Sequence, residues 1–171
     1  MSMCHNEGLP SAVTNRKWLH CCSPKVAEFE PYNIGLWMML CDDVQCDPES
    51  SMTEIDIAWT KTKDLVFSGI VPILKAKCTT KSIHPKNFQL TTGGAILFYT
   101  PDFRNKNEIV AVAEAIHDHV NNKKELFFRA YNANYFTKQS SLGEKSVYMY
   151  MYTVNKMLLT KREEDIFLLL D

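Results

Sequence analysis

Cysteine and histidine are the side chains of this sequence best suited to chemistry, and they gather at its front: Cys4-His5, His20-Cys21-Cys22, and Cys41 followed by Cys46 with four residues between. Thiolate and imidazole are the ligands zinc prefers, and four must converge as a tetrahedron. The spacing here is not that of a zinc finger. No C-x-x-C occurs, the adjacent pair Cys21-Cys22 points two ways, and Cys41 lies beside an apolar run where a lone cysteine is core. His117-x-His119 falls in a predicted helix, where a two-residue step turns the side chains about 200° apart, so one metal cannot hold both. One histidine is expected exposed and the other partly packed. A cysteine nucleophile needs a base fixed beside it, and six cysteines (with Cys78) against five histidines single out no pair. Phosphate-loop, dinucleotide, zinc-protease and nucleophile-elbow patterns are absent, and Thr91-Thr92-Gly93-Gly94 lacks the lysine of a phosphate loop. The expectation is a non-enzyme with no catalytic residue, metal site, cofactor or small-molecule substrate. A zinc- or thiol-dependent enzyme built on Cys21, Cys22, Cys41 and His20 is the lesser alternative.

Charge carries more information. The net charge of −1 hides a separation along the chain. Val26 to Thr60 contains no Lys or Arg but eight acids: Glu28, Glu30, Asp42, Asp43, Asp47, Glu49, Glu54 and Asp56. The next stretch places Lys61, Lys63, Lys75, Lys77, Lys81 and Lys86 against the single Asp64. Like-signed patches steer encounter and set register between partners. Self-association of an acidic face with a basic one is one use of such a separation, and neutralisation between neighbouring segments of one molecule is another. The lysine segment also suits nucleic-acid phosphates or anionic lipid head groups, although the pI near 6.5 is not that of a strongly basic binding domain. Tyr148, Tyr150 and Tyr152 alternate along one face of a strand, with Val147, Met149 and Met151 on the other. Such a stripe can stack bases, but no Arg or Lys interleaves it, which favours packing against a helix or contact with a protein.

The elements that position these residues follow from periodicity. At 171 residues, 46% hydrophobic and 23% charged, the chain has the size and composition of one folded domain. The fold class expected is α+β: mostly antiparallel sheet against one main helix and a short C-terminal helix, over residues 32–171. Residues 1–31, broken by Pro10, Pro24 and Pro31, read as a flexible or loosely docked arm. Ile34–Cys41 is an apolar run of strand length. Glu54–Thr60 alternates, with Ile55, Ile57 and Trp59 on one face, and reads as a strand. Leu65–Cys78 suggests two short strands, or one with a bulge, around Gly69 and Pro72. Gly93-Gly94 bends the chain before Ala95–Tyr99. Ile109, Val112, Ala113, Ile116 and Val120 predict a helix over Lys106–Val120, capped by Asn105 with Glu108. Leu126–Phe136 and Ser146–Val154 read as an antiparallel pair separated by the turn-like Gln139–Gly143. Thr160-x-x-Glu163 reads as a capping box for a terminal helix carrying Ile166–Leu170, a strand being the alternative. The N-terminus has no secretory signal and no apolar run reaches about 18 residues, so the chain is expected to be intracellular with reduced thiols.

Between roughly Glu54 and Leu159, this succession of β-rich sequence and one main helix, behind a polar arm, resembles matrix proteins of rhabdoviruses, in particular the small ones of plant-infecting members. The resemblance implies a self-assembling structural protein that condenses a nucleocapsid, a nucleoprotein–RNA complex, and bridges it to membrane. It further implies host cytoplasm and virion as the locations. Self-association would then fall to Trp18 and Pro24 of the arm with Asp42, Asp43 and Glu49 of the acidic stretch. Nucleic-acid or lipid contact would fall to Lys61, Lys63, Lys75, Lys77, Lys81 and Lys86. The sequence departs from animal-virus relatives in lacking a strongly basic N-terminus and any P-P-x-Y or P-T-A-P motif, which puts direct arm-to-membrane attraction and recruitment of budding machinery in doubt. A nucleic-acid-binding or host-interfering module is the alternative function.

Overall fold

Seven residues of unbroken hydrophobicity, Gly35–Cys41 (β2), form the centre of the sheet. β2 pairs along its whole length with Gly94–Thr100 (β4) and on its other side with Leu126–Ala130 (β5). A computed structural model describes residues 7–25, 28–42, 47–82, 93–131, 148–161 and 167–170. Within them eight antiparallel strands make one sheet in the order β1-β3-β4-β2-β5-β6-β7-β8. The remaining strands are β1 (Trp18–Cys22), β3 (Lys75–Thr79), β6 (Tyr150–Tyr152), β7 (Leu158–Lys161) and β8 (Phe167–Leu169). Two helices, α1 (Glu54–Ser68) and α2 (Lys106–His119), complete a single α+β domain of the expected class. Among the described residues no helix is long and apolar enough to cross a membrane.

Alternation along the strands sorts the side chains into two layers. Leu19, Cys21, Trp37, Met39, Ala76, Cys78, Ile96, Phe98, Leu126 and Phe128 face the helices and form one core with Ile55, Trp59, Val66, Ile109, Val112 and Ile116. The Trp37 indole donates to the Ile109 carbonyl at 2.8 Å, which fixes α2 against β2. Gly93 has φ +103°, a conformation that favours glycine, and a Cβ there would strike the Cys41 carbonyl. The expected bend ahead of β4 is therefore a backbone requirement.

α2 forms where its periodicity places it, with Asn105 accepting from the Glu108 amide at 3.2 Å and Val120 as C-cap. Three expectations are corrected. Glu54–Thr60 is not a strand but the first half of α1. Seven residues of alternation fit either period, whereas the buried set Ile55, Ala58, Trp59, Thr62, Leu65 and Val66 fits only the helical one. Leu65–Cys78 accordingly holds the end of α1, closed by Gly69 in the left-handed conformation (φ +63°), and only one strand, β3. Finally, Thr160 caps no helix. It lies in β7 and pairs with Leu168 of β8, so the apolar run at the C-terminus is spent on a sheet edge. Cys4, His5, Asp43, Cys46, Lys86, Thr91-Thr92, Gln139–Gly143 and Glu163 lie outside the described residues.

The N-terminal stretch expected to be an arm enters the fold. β1 pairs with β3, Thr80 N donates to the Lys17 carbonyl, and Lys81 N donates to the Pro10 carbonyl at 3.0 Å. The anchor is Asp56, 0% exposed. Its carboxylate accepts from Ser11 N at 2.9 Å, from Ser11 Oγ at 2.6 Å and from Thr53 N at 3.1 Å, while Thr53 Oγ1 accepts from Asp56 N. The reciprocal Thr53–Asp56 pair caps α1. Replacing Asp56 by Ala removes one half of the capping box and leaves three donors, Ser11 N, Ser11 Oγ and Thr53 N, without their acceptor. Urea denaturation should show a loss of about 3 kcal/mol, and a loss under about 1 kcal/mol would show that the carboxylate does not anchor the segment.

Two buried weak acids, a thiol and a phenol, also bear on stability. Burial and the neighbouring Glu54 push the Cys41 thiol from 9.0 up to about 12. Burial pushes the Tyr99 phenol from 10.0 up to about 12, helped by Tyr131. A raised folded-state value means the unfolded chain releases its proton first as pH rises. This contribution to stability is thus complete below about pH 9 and is lost between about pH 9 and 12. The urea midpoint should fall steadily from pH 8 to pH 10.5, and Cys41→Ser should flatten the fall. A midpoint independent of pH over that range would contradict these shifts.

Candidate nucleic-acid interface

The second face of the sheet carries no helix among the described residues, and it is where the basic and aromatic residues meet. Two rows of side chains cross it, each built from the strand register. One row runs Cys22, Lys75, Tyr99, Leu36, Arg129. The other begins His20, Lys77, Leu97, Met38, Phe127, Met151 and ends at Leu159 and Leu169. The first row is cationic at Lys75 and Arg129, which lie three strand spacings apart, about 14 Å. The second is basic at one end and apolar along the rest.

The lysines lie on aromatic rings. Lys75 Nζ is 4.9 Å from the Tyr99 ring centre, and Lys77 Nζ is 5.8 Å from both Tyr99 and Trp18. The register sets Lys75 beside Tyr99 and Lys77 beside Leu97, and both lysines are half-buried. Partial burial and the like charge of Lys75 hold the Lys77 ammonium below the usual lysine range. Tyr131, just beyond β5, makes a T-shaped contact with Tyr99, the ring centroids 5.6 Å apart. Among the described residues no carboxylate pairs with Lys75, Lys77 or Arg129; the ion pairs there join Arg104 to Asp102, Lys124 to Asp42 and Glu54, and Lys156 and His117 to Asp118.

The residues singled out in the sequence divide among several places. Trp18, nominated for self-association, stands with Lys77 on the helix-free face. Pro24 and Glu49 are exposed in loops. Asp42 is exposed and 3.5 Å from Lys124, which also reaches Glu54 at 2.8 Å. Lys75 and Lys77 come together, whereas Lys61 is exposed and Lys63 half-buried on α1, and Lys81 is exposed past β3. The tyrosine stripe is split. Tyr152 packs on Trp37 and Tyr150 on Phe128, both in the helix-side core, whereas Tyr148 contacts Phe127 and donates to Met38 Sδ on the other face. Tyr99, Arg129 and Tyr131 were not singled out in the sequence. Their local signal is the apolar run of Gly94–Thr100 and the alternation of Leu126–Ala130, but only strand order brings them beside Lys75.

Among the described residues the thiols and imidazoles form no common centre that could hold a metal ion. Cys21 faces the helices and Cys22 the opposite side, Cys41 and Cys78 are buried, and burial holds the Cys78 thiol well above its usual range. His117 is buried with Nε2 3.1 Å from the Val154 carbonyl, and His119 is exposed. No group of three or more His, Cys, Asp or Glu could hold a metal ion among the described residues.

Neither a protein-family model nor a curated protein matches the chain. Among solved structures, a schistosome eIF4E complexed with m7GpppA and 4E-BP aligns at 13% identity and TM-score 0.50, over 80% of this chain and 68% of that one. Ascaris suum eIF4E-3 with m2,2,7G cap aligns at 9% identity and TM-score 0.43, over 58% of this chain, which spans about half (52%) of that protein. At these identities the schistosome likeness is one of fold.

Proposed function

We propose that the chain is a nucleic-acid-binding module, without a catalytic step, whose binding surface is the helix-free face of the sheet. One observation carries this reading: two lysines and an arginine stand among aromatic rings on one sheet face, with no carboxylate paired to them among the described residues. Positive charge that tracks phosphates and rings that meet bases are the two components of sequence-tolerant strand binding. The near-neutral net charge does not oppose it, since local potential depends on where charges sit. The schistosome eIF4E of similar fold is complexed with m7GpppA, so a nucleotide ligand is compatible with the architecture; the assignment here rests on the face itself.

A self-assembling, matrix-like role is the second reading. The observation in its favour is apolar rather than electrostatic: Phe67 and Ile70, at and just past the end of α1, are exposed. Charge pairing between copies draws less support, since Asp42 and Glu54 already have Lys124 as partner. Light scattering at low and high salt separates the variants, because apolar association persists where charge pairing dissociates.

The binding reading is tested by fluorescence anisotropy with a labelled RNA of about a dozen nucleotides, titrated between about 50 and 200 mM salt. Contacts from Lys75, Lys77 and Arg129 predict a log–log salt slope near about −2, and Lys75→Glu with Lys77→Glu should weaken binding and reduce the slope by about 1.4. No binding at the lowest salt, or an unchanged slope in the double variant, would overturn it.

A further inference from the structure

Resting on that reading, we infer that Tyr131 is the base-stacking platform of the helix-free face, and that the ligand is therefore single-stranded nucleic acid with accessible bases. Stacking needs a ring whose flat face is open and whose orientation is held before the ligand arrives. Tyr99 lies at the centre of the charged row but is only 4% exposed and has Lys75 over it, so no base can cover it. Trp18 is half-buried and has Lys77 over it. Tyr131 differs from both: it is 50% exposed.

Its ring is nevertheless positioned. The Tyr131 amide donates to the Ile34 carbonyl at 2.8 Å, extending the β2–β5 pairing past the last strand residue. The T-shaped contact with Tyr99, at 70° between planes, limits rotation of the ring. A large ring already held in place loses little conformational freedom on binding. The surroundings supply the rest of a nucleotide site. Arg129 precedes Tyr131 by two residues on the same strand face, and Lys75 lies over the neighbouring Tyr99. A base on Tyr131 would therefore leave its flanking phosphates beside two cations. A duplex hides the faces of its bases, so the same surface discriminates against it.

The test uses the full chain and three probes of equal length: a single-stranded RNA, an abasic phosphodiester strand with the same charges and no bases, and an RNA duplex. Tyr131→Ala should weaken binding of the single strand about tenfold, leave its salt slope unchanged and leave the abasic strand unaffected. Tyr131→Phe, which keeps the ring, should bind as the unaltered chain does. Thermal melting of both variants checks that the fold is retained. Undiminished binding by Tyr131→Ala overturns the inference, as does equal weakening toward the RNA and abasic strands, which would assign the ring to packing. Duplex binding as tight as single-strand binding overturns it as well. Failure of the unaltered chain to bind both the RNA and the abasic strand would overturn instead the broader reading of this face.

Discussion

A buried carboxylate decides where the front of the chain goes. Asp56 is one turn into α1, and all its surface is taken up by the cap of its own helix and by Ser11, 45 residues earlier. Removing a charge from water costs several kcal/mol unless hydrogen bonds replace the lost hydration. Asp56 is tolerated because three donors converge on it and the helix N-terminus adds its own positive end. Holding Ser11 against α1 brings the following residues alongside β3, where β1 extends the sheet and delivers Trp18 to Lys77. The surface on one side of the sheet thus depends on a charge buried on the other.

That surface also depends on what lysine can do in a strand. β3 reads Lys-Ala-Lys-Cys-Thr, an alternation whose polar positions would ordinarily lie in water. Here β3 lies beside β4, whose residues are buried throughout, and Lys75 and Lys77 are themselves half-buried next to Tyr99 and Leu97. The ammonium groups end above the rings, where attraction to the π faces offsets part of their dehydration. It does not offset all of it for Lys77, whose proton affinity is lowered by burial and by Lys75. Two like charges crowded on a partly dehydrated surface are stabilised by any anion that settles between them.

How far the sequence revealed this differs from element to element. α2 was legible because its apolar period persists over fourteen residues and its cap pairs Asn105 with Glu108. α1 was not, because Glu54–Thr60 alternates by coincidence, and Ile57, the residue that supports a strand, is only half-buried in the helix. The cue on offer was Thr53-x-x-Asp56, a box closed by aspartate instead of the usual glutamate or glutamine. At the C-terminus the same kind of cue misled, since Thr160 lies where tertiary pairing, not propensity, determines the conformation. The tyrosine stripe failed for a geometric reason. Met149 and Tyr150 both pack toward the helices, so strict alternation breaks before β6 and Tyr148 falls on the other side. The helix-free face was the least legible feature, because Trp18, Lys75, Tyr99 and Arg129 come from four strands whose order follows from pairing that no local pattern contains.

The separation of charge along the sequence has a structural resolution that neither simple neutralisation nor attraction between copies describes. Several acids of the front half serve the fold: Asp56 caps and anchors α1, Glu54 and Asp42 share Lys124, and Asp47 accepts from the backbone of its own turn. The cation they draw in, Lys124, comes from beyond α2 and not from the lysine-rich segment beside them. The lysines of β3 are separated from Glu54 and Asp56 of α1 by the sheet, since alternation turns Lys75 and Lys77 away from the side on which α1 lies. Opposite charges adjacent in sequence are therefore kept apart by a strand's two-residue period. Lys75 and Lys77 thus lie together on one face of a chain whose totals are nearly balanced, and local potential depends on where charges sit and not on their sum.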